Sequence, residues 1–238
     1  MYQNYIFDLY GTLVDIHTDE EMDSLWEAMA RFYSYNEAPY TKEELKEAYF
    51  SKIQREEEEI LKSHVFSEIQ IEKVFEDLYQ KKGKEPSEEQ ILYTAQMFRA
   101  ISIQQEALYD GAKELIKELK EKGKKVFLLT NAQRIFTEYE LKMLGIWDCF
   151  DDIFISSQVG YKKPSKGFFE ALFQKHKLIK EESIMIGNDV SADIQGANQM
   201  GIDSVYLHSN LSSDMVVRPK STYSIMPSDL FELKQILL

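Results

Sequence analysis

The sequence predicts an α/β protein: a parallel sheet flanked by helices, interrupted near its start by an inserted helical bundle. Three observations lead there. Asn4-Tyr-Ile-Phe-Asp8 is a short apolar run that reads as a buried strand ending at a carboxylate. From about residue 18 to 106 charge is dense, Gly83 is the only glycine, and apolar residues recur at helical spacing. Beyond residue 109, strand-like and helix-like segments alternate, the pattern of a parallel sheet covered on both faces.

Local signals justify each element. Leu25, Met29, Phe32 and Tyr33 mark one helical face; Leu45, Tyr49, Ile53 and Ile60 mark another. Val74 and Leu78, then Ile91, Ala95 and Phe98, mark two more, giving an antiparallel bundle of about four helices. Thr41-x-x-Glu44 and Ser87-x-x-Gln90 have the form of capping boxes. Arg55-Glu-Glu-Glu-Glu59 reads as a solvated helix face. Then follow a helix over 111–122 closed by Gly123, a strand over 125–130, a helix near 134–143 closed by Gly145, and a strand over 152–156. A helix over 165–176, a strand over 183–187, a helix near 190–200, strands over 203–207 and near 222–226, and a helix from 227 complete the chain. The expected organisation is a core of residues 1–15 and 107–238 with residues 16–106 inserted as a helical cap.

Composition narrows the function. The 238 residues are 44% hydrophobic and carry a formal net charge of -13, which suits a globular chain. The negative field disfavours nucleic acid and anionic membrane as partners, but not a small phosphate ester held by a local cluster of donors. Cys149 is the only cysteine, so no intramolecular disulfide can form. No basic–apolar leader or apolar stretch of roughly 20 residues is present, so a soluble cytoplasmic protein is expected, as a monomer or homodimer.

In an open parallel sheet, ligands bind beyond the carboxyl ends of the strands. The strands here lead into Asp8; Thr130-Asn131; Ser156-Ser157 and then Gly160-Tyr-Lys-Lys163-Pro164; and Gly187-Asn188-Asp189 with Asp193. Singly, these read as turn or cap residues and a solvated lysine, with Lys162 competing for the role of Lys163. Together they fit a carboxylate nucleophile, Asp8, which forms an ester that water then cleaves. With phosphorus as electrophile, the crowded negative charge calls for Mg²⁺, held by Asp8, the Tyr10 carbonyl, and Asp189 or Asp193. Lys163 would offset charge, while Thr130 and Asn131 hold the non-reacting oxygens.

These motifs resemble the haloacid dehalogenase-like hydrolase superfamily. The family's Asp-x-Asp-Gly-Thr corresponds to Asp8-Leu9-Tyr10-Gly11-Thr12, which places Gly11 and Thr12 beside the substrate. Its Ser/Thr motif resembles Thr130, its Gly-x-x-Lys-Pro motif resembles Gly160 to Pro164, and its acidic pair resembles Asp189 and Asp193. The resemblance implies a Rossmann-like core with a helical cap inserted after the first motif.

Two departures shape the expected chemistry. The family's phosphatases carry a second Asp where Tyr10 stands, to protonate the leaving group and activate water; a phenol of pKa near 10 is poorly matched to that work. Asp-x-Tyr-Gly-Thr is typical of the 2-haloacid dehalogenases, which need no metal and receive halide on a cap arginine; Arg31 and Arg55 are the candidates here. Asn188 also stands where an Asp is frequent, with the acid one residue later. The leading expectation is a Mg²⁺-dependent phosphatase of a small phosphorylated metabolite. The alternatives are a metal-independent dehalogenase or a catalytically weak or non-enzymatic relative. Arg31, Arg55, His64 and the tyrosines at 33, 35, 40 and 49 are the cap side chains available to read a substrate.

Overall fold

A computed structural model of the chain describes residues 2–63, 66–214 and 219–238. His64 lies outside the described residues. The strands are β1 (Asn4–Phe7), β2 (Val14–Thr18), β3 (Ile103–Leu108), β4 (Lys125–Thr130), β5 (Asp152–Ile155), β6 (Ser183–Gly187), β7 (Asp203–Leu207) and β8 (Tyr223–Ile225). The helices are α1 (Asp23–Tyr35), α2 (Lys42–Ser63), α3 (Ile71–Gln80), α4 (Glu88–Ser102), α5 (Ala112–Glu121), α6 (Arg134–Met143), α7 (Ser156–Val159), α8 (Lys166–His176), α9 (Gln195–Met200) and α10 (Leu230–Leu237).

Six strands form one parallel sheet in the order β5-β4-β1-β6-β7-β8. Its central strands are continuous apolar runs because both faces are covered. Successive side chains point to opposite faces, so Tyr5 and Phe7 of β1 join Val126 and Leu128 of β4 in a core under α5 and α10. Ile6, Phe127 and Leu129 enter the opposite core under α8 and α9. The chain thus sets β1 at the centre of the sheet and carries Asp8 to its carboxyl edge.

Helices α1–α4 pack a separate apolar cluster centred on Trp26, Tyr49, Phe75 and Phe98, joined by Phe136 of α6. Thr41 and Glu44 form a reciprocal cap on α2 (3.0 and 3.2 Å), whereas Ser87 caps α4 through its hydroxyl alone. Arg55, Glu57, Glu58 and Glu59 lie exposed along α2.

The alternation does not reveal one element. β2 and β3 form an antiparallel pair, with Val14 opposite Leu108, at the junction of sheet and bundle. Both strands are short and polar-rich (VDIHT and IQQEAL), and β3 follows α4 directly. Their pairing is long-range, so local texture carries little of it. Among the described residues no helix is long and apolar enough to cross a membrane.

Candidate active site

The carboxyl ends of β1, β4 and β6 surround a cavity of about 260 Å³ lined by Asp8, Thr130, Lys163, Asn188 and Asp193. A separate cleft at the amino ends of the strands, lined by Asn4, Lys125 and His176, contains none of these groups. Asp8 extends β1 by one residue; its N–H donates to the Ile186 carbonyl (2.9 Å), which fixes its carboxylate at mid-sheet. Lys163 Nζ donates to Asp8 Oδ1 (2.6 Å) and to Asp193 Oδ1 (2.7 Å), with all three side chains buried. Lys162 does not reach the cluster; Lys163 is the lysine of that loop that does.

Burial opposes the charge of Lys163, but the Asp193 and Asp8 carboxylates outweigh it and lift its pKa above the ordinary lysine value. Burial pushes the Asp193 carboxyl up, with Lys163 opposing and Asp8 reinforcing the shift. The second oxygen of Asp193 accepts the Asp189 N–H (3.0 Å). Gly187 makes room for it: a Cβ there would lie 2.1 Å from Asp193 Oδ2.

Thr130 ends β4 with a hydroxyl that is buried and has no hydrogen-bond partner among the described residues. An unmatched buried hydroxyl costs about 1–3 kcal/mol, a cost that a ligand oxygen removes. The N–H groups of Leu9 and Tyr10 likewise make no hydrogen bond among the described residues. Asn131 is largely committed to positioning. Its amide donates to the Lys163 carbonyl (3.1 Å) and accepts the Lys163 N–H (2.7 Å), which locks the lysine loop against β4.

Asn188 occupies the other side of Asp8. Its amide lies 3.0 Å from the Tyr10 carbonyl, 3.2 Å from the Thr12 hydroxyl and 3.3 Å from Asp8 Oδ2. With nitrogen toward them it donates. With oxygen toward them, the Asn188 amide oxygen lies 3.0 Å from the Tyr10 carbonyl oxygen and 3.3 Å from Asp8 Oδ2, against an edge length of about 2.9 Å expected for a Mg²⁺ octahedron. Gly11 is required beside it: φ is +81°, and a Cβ would lie 2.2 Å from Asn188 Nδ2. Among the described residues no cluster of three His, Cys, Asp or Glu is arranged around a metal position. Asp8, the Tyr10 carbonyl and, in that second orientation, the Asn188 amide oxygen are the groups that could hold a hard cation that keeps several waters.

The Asp189 carboxylate accepts from the Ser191 N–H and hydroxyl (both 2.7 Å) and the Ala192 N–H (3.0 Å), so it caps the turn that follows while it also lines the cavity at Asp8 beside Asn188. The Gly11 N–H donates to the Val14 carbonyl (2.8 Å) and the Thr12 N–H to the Leu9 carbonyl (3.2 Å), so neither backbone is free for substrate. Arg31 is exposed on α1; Arg55 is exposed on α2, where its Nε donates to the Ser51 carbonyl (3.2 Å). Neither lines the cavity at Asp8 or the one beside it. Of the named tyrosines, Tyr33 and Tyr40 donate to carbonyls inside the bundle, Tyr35 is exposed, and Tyr49 lines the adjoining cavity.

The Tyr10 side chain turns away from Asp8. Its hydroxyl donates to Glu140 and lies 2.9 Å from the Thr137 hydroxyl, both on α6. Glu140 pairs in turn with Arg99 Nε from α4 at 2.6 Å. Burial, reinforced by the Glu140 carboxylate, pushes the Tyr10 phenol well above its ordinary pKa. The hydroxyl therefore stays neutral and cannot serve as a base near neutral pH. Sequence reading missed Glu140 and Arg99, although Glu140 follows Phe136 by four positions on the buried face of α6, a charge in an apolar stripe.

Comparison with known proteins follows the same lines. Residues 2–201 match the haloacid dehalogenase-like hydrolase family. The pyrimidine 5'-nucleotidase PynA of Streptococcus pneumoniae is 27% identical over 212 residues, covering 86% of this chain and 83% of that protein. A ribulose-1,5-bisphosphate 5-phosphatase of Halopiger xanaduensis is 30% identical over 112 residues, 47% of each chain, so the match spans about half of that relative. The solved HAD-hydrolase YfnB of Bacillus subtilis, bound to magnesium, superposes with a TM-score of 0.59 at 24% identity, covering 99% of this chain and 98% of that one.

Proposed function

Because the chain belongs to the haloacid dehalogenase-like hydrolase family, we propose that it is a Mg²⁺-dependent phosphatase of a small phosphorylated metabolite, with residues 16–106 acting as the cap. The carrying observation is the buried, unpartnered Thr130 hydroxyl facing the cavity that holds Asp8 and Lys163. Two relatives bear names that describe release of phosphate from a nucleotide or a sugar bisphosphate.

The Asp8 carboxylate adds to phosphorus as the ester oxygen departs, and water later cleaves the acyl phosphate. Lys163 holds Asp8 in place and balances the charge that gathers on the phosphoryl oxygens. Thr130 donates its hydroxyl to one of those oxygens, and the free N–H groups of Leu9 and Tyr10 serve others. Asp8, the Tyr10 carbonyl and Asn188 would hold Mg²⁺, with Asp193 nearby through Lys163. The cation would neutralise phosphoryl charge and orient the substrate. Tyr10 supplies no proton to the leaving group, so that proton comes from water and turnover is slow for poor leaving groups.

Tyr10 favours a dehalogenase as the second reading. The cation beside the site works against it: the charge of Arg99 is balanced by Glu140, which is bonded to its Nε. A panel of phosphate esters assayed with Mg²⁺ and with EDTA tests the proposal. Phosphate release that vanishes in EDTA supports it; equal release in EDTA, or chloride release from 2-chloropropionate without phosphatase activity, overturns it.

A further inference from the structure

The amino edge of the sheet, at the opposite end of the strands from Asp8, holds a cavity of about 370 Å³. Asn4 opens β1 and stands in register with Lys125 on β4 and Ser183 on β6, so the three side chains share one face. Phe127, two residues along β4, points the same way and gives the cavity an apolar floor. Leu178 and the largely exposed Ile179 add apolar wall. His176 contributes a fixed ring: its Nε2 lies 2.6 Å from Asp152 Oδ2, and its centroid is 4.8 Å from that of Phe127.

Two observations point to a ligand. The first is a buried amide with one end unused. Asn4 is only 7% exposed, in a strand otherwise made of Tyr5, Ile6 and Phe7. The Ser183 hydroxyl donates its proton to the Ile179 carbonyl (2.6 Å), so toward Asn4 it can only accept, from Nδ2 at 3.1 Å. That fixes the amide and leaves Asn4 Oδ1 without a hydrogen-bond partner among the described residues.

The second is an incomplete pairing of charge. Asp151 is saturated, accepting from Lys120 (2.7 Å), Lys125 (3.0 Å) and the Val126 N–H (2.9 Å). Asp152 is matched by Lys175 (2.7 Å) and His176. The Glu182 carboxylate and the Lys177 ammonium both line the cavity and make no hydrogen bond or ion pair among the described residues. Lys177 also holds φ at +51°, a left-handed conformation in which glycine is the ordinary residue after a helix, so the backbone alone does not favour a lysine there.

We infer that this cavity binds a free amino acid with an apolar side chain. Its ammonium meets Glu182 and Asn4 Oδ1, its carboxylate meets Lys177 and the remaining N–H groups of Lys125, and its side chain lies over Phe127 and Ile179. A simple anion would face the Glu182 carboxylate, a simple cation would face two lysines, and an uncharged ligand would leave both signs unmatched. A polar side chain would lose its water against Phe127, Leu178 and Ile179 without replacing it. The site lies outside the phosphate cleft, so the inference does not rest on the phosphatase reading.

Calorimetry of the intact protein with leucine and methionine tests it, against isoamylamine and 4-methylpentanoate, which keep the side chain of leucine but carry one charge each. We expect at least one of the two amino acids to bind with a Kd of about 1 mM or tighter, and both single-charge analogues to bind at least about tenfold more weakly than leucine or methionine. Glu182→Gln should weaken amino-acid binding about tenfold. Lys177→Gly should do the same while the melting temperature holds or rises, because glycine suits the left-handed backbone; this separates a lost ligand contact from a lost fold. Failure of both amino acids to bind, an analogue binding as well as the amino acid, or binding unchanged in either variant overturns the inference.

Discussion

The two ends of the cleft are built in different ways. At the phosphate end, three groups stand at the strand ends of one parallel sheet: Asp8 after β1, Thr130 closing β4, Asn188 after β6. At the leaving-group end, Tyr10, Glu20, Tyr49, Arg99 and Phe136 come from separate loops and helices that meet through packing. The first end is fixed by backbone ladders and a buried lysine between two carboxylates. The second is held by a Tyr10–Glu140–Arg99 chain that ties the first-motif loop to the bundle. Chemistry at the first end should therefore be intolerant of change, and selectivity at the second should be adjustable.

The largest expected effect lies at the phosphate end. Asp8→Asn should lower phosphate release by about 10⁴-fold or more, since it removes the nucleophile, while the fold persists by circular dichroism. Activity within a few-fold of the parent would break the contrast between the two ends. Lys163→Met comes next. It leaves Asp8 and Asp193 buried without their shared cation, so we expect a loss of about 3 kcal/mol in urea unfolding at pH 8. The loss should shrink toward pH 5, because a buried carboxyl with a raised pKa holds its proton there and the like-charge contact disappears.

Tyr10→Asp sharpens the comparison at the boundary. A carboxyl at this position can give a proton to the departing oxygen, so turnover of alkyl phosphates should rise relative to p-nitrophenyl phosphate. The parent's rate should fall steeply with leaving-group pKa, and the variant's less so. Equal slopes would show that Tyr10 does not limit proton transfer.

The smallest effect is at Glu106 on β3. Burial, with Glu140 adding and Arg99 opposing, pushes its carboxyl from 4.5 up to about 7. The folded chain keeps a proton there that the unfolded chain has released, so this group's contribution to stability declines as pH rises from 4.5 to about 7 and is flat above. Glu106→Gln should therefore raise the melting temperature at pH 8 and change it little at pH 4.5. A variant destabilised at pH 8 would contradict this.

The same contrast explains what the sequence discloses. Alternating strands and helices, together with residues read directly off strand ends, lead to Asp8, Thr130 and Lys163, because sheet geometry converts sequence position into spatial position. Asn188 and Asp189 are two adjacent polar residues at one strand end, both lining the cavity; that one oxygen of Asp189 also caps the following turn depends on backbone geometry the sequence does not display. Arg31 and Arg55 mislead because they sit on outward faces of α1 and α2. Arg99 escapes notice because its position depends on how α4 packs against α6, a tertiary contact with no local signature.

Mass spectrometry of the Asp8 peptide after rapid acid quench of the enzyme with p-nitrophenyl phosphate and Mg²⁺ tests the central claim most directly. The account predicts a phosphoryl group on Asp8 that is absent without Mg²⁺ and absent in Asp8→Asn. Turnover without any adduct on Asp8, or an adduct on another residue, would contradict it.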